Sequence, residues 1–102
     1  MNTAAKGARM EHRIMHHAAS IGAQEAIRGA ASKSLSGLVD VVIFRYPVIY
    51  FVQCKNKHMS VNAIRKGKEG LDRGLGSWGN HTAVITMFIT KDNIKEKLGE
   101  IV

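Results

Sequence analysis

Apolar residues crowd into three short runs of this chain and recur at helical spacing in three other segments. Over residues 6–20, Ile14, Ala18 and Ile21 fall four and three apart, one face of a helix, and Gly22 is a natural stop. Glu11, three residues before Ile14, shares that face, so it stands either at a helix end or against a polar pocket. Residues 23–28 alternate weakly and read as a short strand, and 29–37, small and polar, as a loop. Residues 38–44 and 48–55 are rich in Val, Ile, Phe and Tyr and are joined only by Arg45-Tyr46-Pro47, the pattern of a hairpin. Apolar residues on both faces of these strands predict helices packed on both sides of the sheet. Val61, Ile64, Leu71 and Leu75 then keep a helical period, interrupted by Gly67, Gly70 and Gly74. Residues 74–80, containing Trp78, read as a Gly-rich loop, and 83–90 as a strand apolar on both faces. Ile94, Leu98 and Ile101 predict a last helix capped by Thr90 or Asp92. The order helix, three strands, helix, strand, helix predicts one α/β domain over residues 1–102, a mixed central β-sheet flanked by helices.

Polar residues inside the apolar runs carry the chemistry. Asp40 interrupts the first hairpin strand, and the second ends in Gln53-Cys54-Lys55. Strand residues two apart share a face, so Gln53 and Lys55 project together while Cys54 points to the other side. Hairpin pairing brings Asp40 towards Gln53 and Lys55. A carboxylate, an amide oxygen and an ammonium gathered at a strand end suit a divalent metal, a water and a phosphate. The bland alternative is a strand-end acid paired with a lysine at the sheet rim.

Charge narrows the partner. Fifteen Lys and Arg against eight Asp and Glu give a formal charge of +7 on 102 residues, which favours a polyanion. No segment combines a long apolar face with a dense basic one, so nucleic acid is favoured over a membrane surface. Arg65, Lys66, Lys68 and Arg73, with Lys57 just upstream, form either a solvated helix face or a track for DNA backbone. One cysteine excludes an internal disulfide and a zinc site built from several thiolates. Lys6, Arg9, Glu11 and Arg13 precede any apolar stretch, which argues against a secretory signal. The expectation is a cytoplasmic protein, or one of the host cytoplasm if the gene is viral.

Other residues are read conservatively. His12 and His16 are four apart, as a zinc pair requires, but lack an evident third ligand and read as exposed polar residues. Cys54 reads as packing rather than as a nucleophile. Trp78 reads as a core or interface anchor before a base-stacking platform.

Several segments occur together in order: Lys6-Gly7-Ala8 with Glu11, then Arg28-Gly-Ala-Ala-Ser32-Lys33, then Val39-Asp40-Val41-Val42, then Tyr50-Phe51-Val52-Gln53-Cys54-Lys55. In these, the first sixty or so residues resemble the archaeal Holliday junction resolvases of the PD-(D/E)XK nuclease superfamily. That resemblance implies a restriction-endonuclease-like core and a homodimer that cuts four-way DNA junctions with Mg²⁺, or Mn²⁺ as an alternative. It implies Asp40, Glu11 and Gln53 as metal ligands, Lys55 as the catalytic lysine, and Arg28 and Ser32 near the scissile phosphate, with Lys33 of the same segment as a DNA-binding residue. The expected reaction is attack of a metal-activated water oriented by Lys55. Gln53 stands where that family has Glu, His12 replaces an arginine, and residues 34–38 include an insertion. The string Val-Gln-Cys-Lys also resembles Mrr-type restriction endonucleases. The readings kept open are therefore a junction resolvase, a nicking or restriction-type nuclease, and a non-catalytic DNA-binding protein with a degenerate metal site. The predicted dimer surface is the second face of strand 83–90 with residues 74–78.

Overall fold

A computed structural model of the chain describes residues 3–28 and 37–102, with side chains from Arg9 onward. Ser32 and Lys33 lie outside the described residues. The first helix, α1, spans Thr3–Ser20 and buries Met10, Ile14 and Ala18, a stripe repeating every four residues. Gly22 ends it at φ +80°, a conformation that costs other residues more, while the Ala23 N–H returns to the Ala18 carbonyl.

Three antiparallel strands follow, β1 (Glu25–Arg28), β2 (Val41–Arg45) and β3 (Val48–Lys55). A second helix, α2 (Val61–Leu75), carries the chain over the sheet, so that β4 (Val84–Thr90) lies parallel to β3. The sheet is mixed and runs in the order β1-β2-β3-β4. A short α3 (Ile94–Glu100) closes the described chain. This is the predicted element order. No helix among the described residues is long and apolar enough to cross a membrane.

The sheet has two apolar faces because its strands alternate. Val41, Ile43, Tyr50, Val52 and Ile89 meet α1 and Ile94, whereas Val42, Phe51 and Val84 meet Leu71 and Leu75 of α2. Both faces are covered, as two-sided apolar strands require. His17 Nε2 hydrogen-bonds the Ile101 carbonyl at 2.9 Å, fastening the end of α1 to the chain beyond α3.

Two local expectations are corrected. The predicted loop at 74–80 is instead the last turns of α2 followed by a 3₁₀ helix, Gly76–Asn80. Trp78 within it is half-exposed and leans on Phe51, their ring centres 6.2 Å apart. Nor do Thr90 or Asp92 cap α3: the N-cap position is Asn93. Asn93 Oδ1 accepts the Thr90 N–H at 2.7 Å, and Asp92 turns to His58 and the Met59 N–H.

The three glycines of α2 have different reasons. Gly67 lies against the Phe88 ring and Gly74 against Leu38, whereas a Cβ at Gly70 would meet nothing within 4 Å. Gly70→Ala should therefore stabilise the protein by about 1 kcal/mol, because only the flexibility of glycine is lost. A urea-unfolding midpoint that fails to rise would contradict this.

Candidate active site

Asp40 immediately precedes β2 and departs from the strand pattern. Its N–H donates to the Val52 carbonyl at 2.8 Å, and its carboxylate Oδ2 accepts the Cys54 N–H, also at 2.8 Å. A side-chain oxygen thus takes the place of a strand carbonyl. Val39 and Val42 both face the α2 side although they are three positions apart, an odd number, so strict alternation fails between them. The break turns the Asp40 carboxylate towards Cys54. This corrects the expectation that Cys54 stands apart from the acid: the Asp40 carboxylate takes both its N–H and its thiol as partners.

Burial raises the Asp40 pKa above the ordinary carboxylate value of 3.8, the Cys54 N–H opposes the rise, and the nearby Glu11 charge adds to it. The Lys55 ammonium pulls the other way, which places Glu11 and Lys55 within electrostatic reach of Asp40. Cys54 is half-buried and its thiol is pushed up to about 12, chiefly by burial and then by the Asp40 charge. A thiol held protonated is no nucleophile, in keeping with the packing role expected for it.

Glu11 comes from the middle of α1. Its Oε1 accepts from Arg28 Nε at 2.8 Å, and Arg28 Nη1 donates to His12 Nε2 at 3.2 Å. Arg28 ends β1, so this pair joins α1 to the sheet edge. Arg28 therefore spends its guanidinium on protein partners, and the Glu11 carboxylate arrives already neutralised on one side. Its side chain is 19% exposed and that of Arg28 is 39% exposed, leaving both reachable from solvent.

Gln53 falls on the other side of the sheet from this group. It pairs in register with Phe88, whose ring sits under Gly67 of α2. Among the described residues the Gln53 amide joins none of the contacts around Asp40. The structure thus brings Asp40, Glu11 and Arg28 together on the α1 side, with the Lys55 charge within electrostatic reach of Asp40 from the strand end, whereas alternation along β3 turns Gln53 to the α2 side. The backbone N–H that anchors Asp40 is the functional group that residue types alone could not point to.

The proposed DNA-contacting side chains are spread out. Lys57 is exposed just beyond β3, and Arg65 and Lys66 are exposed on α2. Lys68 Nζ is engaged by Asp72 at 2.7 Å, and the same Asp72 accepts the Thr86 hydroxyl at 2.5 Å, fastening α2 to β4. His12 and His16 are exposed, and among the described residues no three His, Cys, Asp or Glu side chains converge on a metal position. Two carboxylates, one half-buried with its pKa raised and burdened by the charge of the other, remain as a donor set. That suits a hard cation that keeps most of its waters, such as Mg²⁺, rather than a zinc ion with four protein ligands.

No protein-family model, curated protein or solved structure matches this chain.

Proposed function

We propose that this chain is a metal-dependent, structure-selective DNA endonuclease with a restriction-endonuclease-like core, acting as a homodimer on four-way junctions. The observation that carries this reading is the half-buried Asp40, locked by the Cys54 N–H with Glu11 and Lys55 beside it. Burying a carboxylate beside a second carboxylate is costly, and such arrangements concentrate where a ligand relieves them. The mixed sheet covered by helices, the excess positive charge and the resemblance of the first sixty residues all support the same reading.

Asp40 and Glu11 would hold Mg²⁺ or Mn²⁺, and the ion when bound lowers the pKa of water and offsets phosphate charge. The chain's own groups do the rest. Cys54 fixes the orientation of Asp40 through its N–H. Lys55 donates to the attacking water or to the phosphoryl oxygen that gains charge. Arg28 orients Glu11 and can turn its remaining N–H groups to a neighbouring phosphate. The exposed Ile85 and Trp78, on the edge strand of the described sheet and the 3₁₀ turn beside it, are the proposed dimer surface.

The test is cleavage of a labelled four-way junction and of a linear duplex, each with and without Mg²⁺. Paired, symmetric cuts in the junction alone, absent without Mg²⁺, are expected from a dimer with two sites at fixed separation. Unselective nicking of both substrates would reassign the chain to a restriction-type nuclease. One observation favours a second reading, a DNA-binding protein with a degenerate metal site: Gln53 faces α2 rather than Asp40. Absence of both cleavage and Mg²⁺-binding heat in calorimetry would select it.

A further inference from the structure

An open-sided cleft of about 620 Å³ lies where α1 meets the ends of β3 and β4. Its cations are Arg9 and Arg13 of α1 and Lys91 just beyond β4, joined by Asn56 and His58 from the chain following β3. Met10 and Ile94 form its apolar floor. Arg9 and Arg13 stand one turn apart and so share a face of α1. Among the described residues neither arginine nor Lys91 has an ion-pair partner, and no carboxylate lines the cleft. The one acid bonded to its wall, Asp92, is held by His58 Nδ1 at 2.9 Å and by the Met59 N–H at 2.6 Å. Three like charges around one concavity repel one another, and an anion seated between them removes that cost.

The α2 face is different. Lys68 is neutralised by Asp72, Arg65 Nη2 donates to Asn62, and Glu69 lies among the cations. Two acids, Glu69 and Asp72, therefore offset half of the four cations within the helix itself, whereas among the described residues no acid offsets those of the cleft.

We infer that the cleft between α1 and the ends of β3 and β4 is the seat of a nucleic-acid sugar–phosphate backbone, and that the basic face of α2 is not. The inference rests on the nucleic-acid reading of the function and adds the path of the strand. Arg9, Met10 and Arg13 flank Glu11 along α1, and Asn56 follows Lys55. A strand whose phosphates occupy the cleft therefore continues past Asp40, Glu11 and Lys55.

The experiment measures binding of a fluorescent DNA duplex and a four-way junction by anisotropy over a salt series in EDTA, so that no catalytic step enters. Two variants each remove three positive charges: Arg9→Ala/Arg13→Ala/Lys91→Ala in the cleft, and Arg65→Ala/Lys66→Ala/Arg73→Ala on α2. Thermal melts of both check folding. The cleft variant should lose about tenfold or more in affinity, and its salt slope should fall by about two to three, one for each phosphate contact removed. The α2 variant should lose several-fold less. Equal losses, or a larger loss from the α2 variant, would overturn the inference while leaving the nucleic-acid reading intact. Failure of the unaltered protein to bind either DNA at low salt would overturn both.

Discussion

Asp40→Asn is expected to abolish metal-dependent cleavage of branched DNA and, near neutral pH, to raise the melting temperature. Both outcomes come from one carboxylate. On the proposed reading it would supply, as a ligand, the charge that a hard cation needs and that an amide lacks, so cleavage should fall by about 1,000-fold or more. As part of the fold it is a liability, because burial and the Glu11 charge disfavour its ionised form. The sign follows from that shift. A carboxyl whose folded-state pKa lies above its unfolded value makes the native state bind more protons, so its penalty is present at neutral pH. The penalty fades as pH falls through the raised value towards the ordinary 3.8. Asparagine removes it at neutral pH while keeping an oxygen for the Cys54 N–H. A gain of about 1 kcal/mol, or about 4–8 °C, is the expected scale for relieving a half-buried charge crowded by a second carboxylate. In acid, where Asp40 is already protonated, the two proteins should melt alike. Lys55→Ala should impair cleavage by about 100-fold or more without the stability gain, because Lys55 is exposed at the strand end. A lower melting temperature for Asp40→Asn at neutral pH, or undiminished cleavage by either variant, would sink this account of the site.

The fold was largely legible because its signals are periodic. The helical repeat of Ile14 and Ala18, the two-faced runs around Val41 and Phe51, and the connection too short for anything but a hairpin each have a single structural solution. The 3₁₀ turn at Trp78 was not legible: glycine and serine there resemble a loop, and the contact with Phe51 depends on an element far away in sequence. The same division holds at the candidate site. Asp40 and Lys55 stood out as charges in apolar runs, and the structure brings them within electrostatic reach. The side to which Asp40 turns was hidden, because it depends on a break in alternation and on a backbone N–H that no residue type announces. The engagement of Arg28 by Glu11 was hidden for a related reason, since it joins a helix to a strand 17 residues away. Cations followed the same logic: the run on α2 is conspicuous in sequence, whereas Arg9, Arg13 and Lys91 are gathered only by the fold.

Glycines show most sharply what pattern reading misses, and Gly67→Ala provides the test. In an exposed helix this change gains about 1 kcal/mol. Here a Cβ at residue 67 would come within 2.5–2.7 Å of three atoms of the Phe88 ring, far inside ordinary contact. Phe88 is 5% exposed on β4, so its ring must leave its place or α2 must lift from the sheet. Overpacking of this kind costs about 1–3 kcal/mol, which exceeds the helix gain. Gly67→Ala should thus lower stability, while Gly70→Ala, three residues further along the same helix and facing open space, raises it. Because α2 also carries Asp72, which accepts from Thr86 on β4, any lifting of the helix strains that bond too. Phe88→Leu in the Gly67→Ala background should recover part of the loss, since a smaller side chain makes room for the methyl group. Urea unfolding of the two single variants and the double variant measures the coupling directly. If Gly67→Ala proves as stabilising as Gly70→Ala, or if the two substitutions act additively, close approach of α2 to Phe88 is not what holds the glycine in place.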